Sequence, residues 1–341
     1  MLRFLVALAL TLLRRVVFTF ALLLLPTVSA AADFPVTVTH LYGETTIDAA
    51  PQRVVSIGYN DHDFLYALGI APIGVREWWG ERPFATWPWA EPARDGLGAT
   101  PQVMAGELSL EWVAAQKPDL IVAVYSDIDK ATYDRLSAIA PVVAQSAGYE
   151  IWQAPWQEQL RLISAATTGN AGKAEAVIAE LDARAAAARA AYPQLAGSTG
   201  LVADYRDGQF TLWSSSSAPN RFLASFGVAF PADLDAMADD SGWIRLSPEL
   251  IDRLEADVVV WPVDNPAAND KQAIIEALPL YQGLKIATEG RSIWLDDGAG
   301  VLASALWFQS PLSIGYVIDA LPAKLAAAVD GDPATTIPKL P

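Results

Sequence analysis

Short runs of β-branched and aliphatic residues alternate along this chain with stretches whose apolar positions recur every three or four residues. Arg53–Ile57 is one such run, followed by a helical pattern through Phe64, Leu65 and Leu68 that Gly69 closes before Ile73-Gly-Val75 opens the next strand. After Asp119, the segment Leu120–Val124 is apolar without alternation, as expected of a strand in a parallel sheet covered on both faces. Similar runs return at Gly200–Asp204, Asp257–Val260 and Ser292–Leu295. Between the two sets lie a helical pattern over Trp156–Thr167, a break at Gly169-Asn170, and Lys173–Tyr192, which is rich in Ala, Glu and Arg and contains no Gly or Pro before Pro193. Twenty residues of good helix formers make a rod of roughly 30 Å. The pattern therefore predicts an α/β protein of two lobes with mostly parallel central sheets, joined by one long helix. The boundaries are 31–155 for the first lobe, 156–198 for the helical segment, 199–330 for the second lobe and 331–341 for a tail.

The lobes share a local signature. Leu108-Ser109-Leu110-Glu111 stands eight residues before Asp119 and its strand, and Leu246-Ser247-Pro248-Glu249 stands eight residues before Asp257 and its strand. Each reads as an N-capping Ser, a helix with Glu in its first turn, a short loop and a buried strand, with Pro248 at the first helical position. Favourable placement of a carboxylate at a helix start explains each Glu singly. A repeated unit explains both together and points to pseudo-symmetric architecture.

The start of the chain departs from this pattern. Arg3, Arg14 and Arg15 precede an apolar stretch from Val16 to Leu25, and Pro26-Thr27 leads to Val28-Ser29-Ala30. That is the layout of a secretory signal peptide over residues 1–30, cleaved near Ala30. As an uncleaved anchor it would be interrupted by Arg14-Arg15, which leaves less than the ~20 apolar residues a span needs. Composition narrows the chemistry. The 341 residues include no cysteine and two histidines, His40 and His62, so thiolate metal sites, a catalytic cysteine and a three-histidine metal site are excluded. A formal charge of −16 argues against nucleic acid as a partner. There is no Gly-x-Ser-x-Gly elbow and no late histidine for a hydrolase triad, although a secreted hydrolase using paired carboxylates stays open.

Taken in order, Pro51-Gln-Arg-Val-Val55, Ala67-Leu-Gly69 with Gly74-Val75, Lys117–Ile121, Ile139–Val142, Trp156–Gln159, Ser241-Gly-Trp243 and Leu246-Ser247 resemble a known family. These are the substrate-binding proteins of bacterial ABC importers for ferric siderophores, haem and cobalamin. Arg76-Glu-Trp-Trp-Gly80 with Trp87-Pro-Trp89 is similar to the ferric-siderophore branch. The resemblance covers nearly the whole mature chain and implies two Rossmann-like lobes, one bridging helix and a ligand cleft between the lobes. It also implies a monomer that uses no cofactor, since the chelator itself holds the iron, and a permease whose basic pockets receive Glu111 and Glu249. Many relatives are lipoproteins, whereas a chain without cysteine implies a freely diffusing periplasmic form. Gly98-Ala-Thr-Pro101 stands where some hydroxamate binders carry an arginine, which leaves the chelator class open. Haem and cobalamin remain alternative ligands.

Cleft residues should follow strands as aromatic or cationic side chains. By that criterion the candidates are Tyr59, Arg76, Trp78, Trp79 and Tyr125 in the first lobe, and Tyr205, Trp213, Arg221 and Trp243 in the second. Arg206 also follows a strand. Arg76 and Arg221 are the first choices for recognising an anionic chelate. Trp112, Trp261 and Trp294 read as packing.

Overall fold

A computed structural model describes residues 34–77, 79–263 and 271–339. The leader segment, Trp78 and the 264–270 loop lie outside the described residues. The chain opens with an antiparallel hairpin of β1 (Val36–His40) and β2 (Gly43–Ile47). The first lobe then supplies β3 (Val54–Ser56), β4 (Gly74–Arg76), β5 (Gln102–Met104), β6 (Leu120–Val122) and β7 (Val142–Val143), arranged β5-β4-β3-β6-β7 with every pairing parallel. The second lobe supplies β8 (Gly200–Arg206), β9 (Gln209–Trp213), β10 (Trp243–Leu246), β11 (Val258–Pro262) and β12 (Ser292–Leu295), arranged β10-β9-β8-β11-β12. Here β8, β11 and β12 are parallel, while β9 runs antiparallel to both β8 and β10. The fold is therefore α/β with two layered lobes, as the strand pattern predicts.

Burial on both sheet faces explains the unbroken apolar runs. In the first lobe Val54, Leu120 and Val122 point into a core that extends into the second lobe through Val202, Val260 and Ile293. Val55, Ile57, Ile121 and Ala123 point the other way, into a core belonging to the first lobe. The second lobe has its own outer core around Phe210, Leu212 and Trp261. The central core thus fuses the lobes along the side where the helices pack.

The helices at that junction are Trp156–Thr168, Gly172–Ala191, and Pro311–Ala320 near the chain end. Gly169 separates the first two with a φ of 85°, a left-handed turn that suits glycine. The bridging helix, Gly172–Ala191, buries Ala174, Ile178 and Leu181 at helical spacing. The Arg161 Nε donates to Glu175 at 2.7 Å, tying the two helices together. Pro311–Ala320 packs against the bridging helix and against the Asp61–Ala67 helix of the first lobe. Arg184 donates to the Gly315 carbonyl and to Asp319, each at 2.9 Å.

The repeated Ser–Glu unit takes two forms. Ser109 caps the Leu110–Ala115 helix by accepting from the Trp112 N–H at 3.2 Å. Its counterpart, Pro248–Leu254, is a 3-10 segment with Leu250 off helical geometry, and Ser247 makes no such cap. Its hydroxyl bonds Glu249, a contact the Ser109 hydroxyl also makes by donating to Glu111 at 3.2 Å.

Candidate functional site

In the first sheet the strand order reverses between β3 and β6, and the loops leaving those strands diverge to open a crevice there. Tyr59 and Tyr125 are the residues that emerge. The Tyr59 N–H donates to the Tyr125 carbonyl at 2.9 Å, locking the two loops together. Asp61 completes the clamp: its Oδ2 accepts from the Val124 N–H at 2.7 Å and its Oδ1 from the Tyr125 N–H at 2.9 Å. The carboxyl is fully buried, and that burial pushes its pKa up to about 7. An unfolded chain would titrate near ~3.9. Between those values the folded state holds a proton that the unfolded chain releases, so this group's contribution to stability is lost as pH rises through the window. Asp61→Asn should flatten the pH dependence of urea stability between about pH 4 and 7, by about 4 kcal/mol across that range. A slope equal to the parent's would contradict this.

The second lobe places its own strand ends opposite. Tyr59, Trp79, Arg206, Trp213, Trp243, Pro262, Ala303, Ser304, Trp307 and Phe308 line a hollow of about 480 Å³. An adjoining hollow of about 300 Å³ shares Tyr59, Trp213, Trp243, Trp307 and Phe308 and adds Tyr125, Trp152, Gln153 and Ser217. Tyr59 stacks on Trp152 at 5.4 Å, and Trp152 meets Tyr125 edge-on at 4.6 Å. Trp213 contacts Trp243 at 5.4 Å and Trp307 at 4.3 Å. At the far end, Arg206 is paired with the fully buried Asp204, which Lys271 also contacts at 2.5 Å. Arg206 and Lys271 thus both gather on the Asp204 carboxylate at this corner.

Of the residues singled out in the sequence, Tyr59, Trp79, Tyr125, Trp213 and Trp243 line these two hollows. Arg76 lies behind the wall, its guanidinium 5.1 Å from the Tyr59 ring centre and its Nε buried with no partner among the described residues. Arg221 stands on the bridging-helix side, in a groove with Trp156 and Leu181, and donates to the Ser216 carbonyl. Burial pulls its pKa below the usual arginine value, while Tyr125 nearby opposes that shift.

Tyr205 does not reach the hollow. Alternation along β8 puts it on the face of Leu201 and Ala203, against Phe210 at 4.9 Å, and sends Arg206 to the cleft instead. Trp78 lies outside the described residues. Glu111 and Glu249 are both exposed, each just after a strand that ends at the carboxyl edge of its sheet.

The tryptophan-rich loop divides. Trp79 faces the hollow, whereas Trp87 and Trp89 are buried behind it and stack at 4.9 Å. Trp152, Trp307 and Phe308 escaped the strand-end criterion. Trp307 ends the Val301–Trp307 helix and Phe308 is its C-cap, and Trp152 follows β7, whose two residues are too few to announce a strand. Adjacent aromatics directly before the Ser310-Pro311 helix start were the available signal.

Two α/β lobes with facing carboxyl edges and an aromatic hollow between them define a cleft-type binding protein. Consistent with that geometry, residues 54–299 match the signature of the periplasmic binding protein family, and the chain belongs to that family. It is 29% identical to a probable siderophore-binding lipoprotein, YfiY, of Bacillus subtilis, over 76% of this chain and 80% of that one. It is 31% identical to the ferric enterobactin-binding periplasmic protein FepB of Escherichia coli, over 60% of this chain and 66% of that one. Among solved structures, a periplasmic solute-binding protein of Mycobacterium smegmatis superposes with a TM-score of 0.75 at 33% identity, covering 86% of this chain and 98% of that one. No helix among the described residues is long and apolar enough to cross a membrane.

Proposed function

We propose that this chain is exported, captures a ferric siderophore in the cleft and delivers it to an ABC importer. The observation that carries the reading is the hollow itself: aromatic walls from both lobes with a guanidinium at one end. Such a surface suits a large, partly apolar, anionic complex whose iron is already saturated by its chelator. Both histidines are engaged within the protein, His40 with Thr45 at 2.8 Å and His62 with the Ala85 carbonyl at 2.8 Å. No carboxylate or histidine lines either hollow among the described residues, which favours holding a ligand over converting it. The siderophore-binding names of YfiY and FepB point the same way.

In this reading Tyr59, Trp79, Tyr125, Trp213 and Trp243 contact the chelate, Arg206 meets its charge, and Arg76 and Arg221 support the tyrosines. The mature protein, cleaved near Ala30, acts as a periplasmic monomer. Titrating it with ferric siderophores, haem and cobalamin should quench tryptophan fluorescence at one ligand per chain for a ferric siderophore. Selective binding of haem or cobalamin would replace the substrate, and turnover of the ligand would overturn the binding role.

The permease would be met by Glu111 and Glu249. The Ser247 hydroxyl holds Glu249 below the usual carboxylate range, and Glu111 stands exposed in the first turn of its helix, so each lobe offers an acidic side chain to an arginine pocket. Glu249→Arg should leave ligand affinity unchanged and strongly impair uptake of labelled iron in cells. A drop in affinity would assign the residue to the cleft.

A further inference from the structure

We infer that the chelate held here presents aryl rings bearing phenolate-type oxygens, as a catecholate does, and is neither citrate-like nor a purely alkyl hydroxamate; this rests on the siderophore reading above. Six of the ten residues around the larger hollow are aromatic, so most of the ligand's buried surface meets π faces and ring edges. Trp213 is tilted 56° from Trp243 and 73° from Trp307, so the wall offers both a face to stack on and an edge to abut. A flat ring uses both arrangements, whereas an alkyl arm gains only area.

The polar groups are few and specific. The Ser304 hydroxyl and the Trp79 indole N–H, both from residues of the wall, are buried with no partner among the described residues. Among the described residues Arg206 is the one cation lining the larger hollow and already serves Asp204, while the other side-chain donors of the wall are single hydroxyl or indole N–H groups carried by Ser304, Tyr59 and the tryptophans. A citrate-type chelate turns several carboxylates outward, and a mostly aromatic wall whose lining cation is shared with a buried carboxylate is a poor match for that charge once water is expelled. Oxygens fixed on an aryl ring can reach an indole N–H or a serine hydroxyl while the ring stays against the tryptophans.

Calorimetric titration of the mature protein with the ferric complexes of a tris-catecholate, 2,3-dihydroxybenzoate, an alkyl trihydroxamate and citrate tests this. The two aryl complexes should bind at least tenfold tighter than the other two. Trp243→Leu should lower aryl affinity at least tenfold, and by a larger factor than it lowers trihydroxamate affinity. Equal or tighter binding of the trihydroxamate or citrate would overturn the aryl assignment while leaving the siderophore reading in place. Failure of every ferric chelate to bind would overturn both.

Discussion

Gly58→Ala should cost about 3–9 kcal/mol of stability and abolish tight ligand binding, although it adds one methyl group. A Cβ at position 58 would lie 2.1 Å from Asp61 Oδ2 and 2.4 Å from its Cγ. Such an approach is far inside contact distance, so something must move. Asp61 has no room to yield: it is fully buried and held by the Val124 and Tyr125 N–H groups. Displacing it strands two backbone donors at about 1–3 kcal/mol each, and overpacking adds about 1–3 kcal/mol. The same two contacts set the Tyr59 and Tyr125 loops at the strand-order reversal, so cleft geometry fails together with stability. Urea unfolding with parallel fluorescence titration measures both. A loss below about 0.5 kcal/mol, the range of an ordinary surface change, would mean that the clamp does not position the cleft.

How far the sequence could be read follows from what each element buries. Strands β3, β6, β8, β11 and β12 were legible because both faces are covered, leaving apolar runs that no exposed segment would carry. The bridging helix was legible because nothing breaks Gly172–Ala191. The β1–β2 hairpin was not: it covers the sheet with one face only, and its identity rests on distant partners such as the Val142 carbonyl that accepts from Thr45 at 2.8 Å.

The cleft divides along similar lines. Tyr59 and Tyr125 follow strands whose ends could be located, so topology alone pointed to them. The choice between Tyr205 and Arg206 depends on a register that a strand-end rule does not carry, since adjacent residues face opposite sides. Trp87 and Trp89 were indistinguishable from Trp79 by composition, and only packing separates the two buried rings from the one in the wall. Trp307 and Phe308 reach the cleft because the last third of the chain folds back onto the first lobe, a contact with no local signature.

That return contact is the basis of the second large effect. Asp63 is 2% exposed, and its Oδ2 accepts from the Trp89 indole at 2.6 Å and from the Ser310 hydroxyl at 2.8 Å. Ser310 in turn caps the Pro311–Ala320 helix in a capping box with Ser313. One turn earlier in the chain, the Asn60 side chain donates to the Phe308 carbonyl at 3.1 Å. Asn60 and Asp63 therefore fasten the 308–310 segment, and with it the aromatic wall at Trp307 and Phe308, to the first lobe. Asp63→Ala removes the shared acceptor and leaves the indole N–H and the hydroxyl buried without it, at about 1–3 kcal/mol each. The expected result is a loss of about 2–6 kcal/mol, with ligand affinity down at least tenfold because the wall loses its mooring. Asp63→Asn keeps one acceptor oxygen and should recover about half of each loss, which separates the hydrogen bonds from the space the side chain fills. If Ala and Asn variants proved equally destabilised but bound ligand as the parent does, the network would hold the fold together without shaping the cleft.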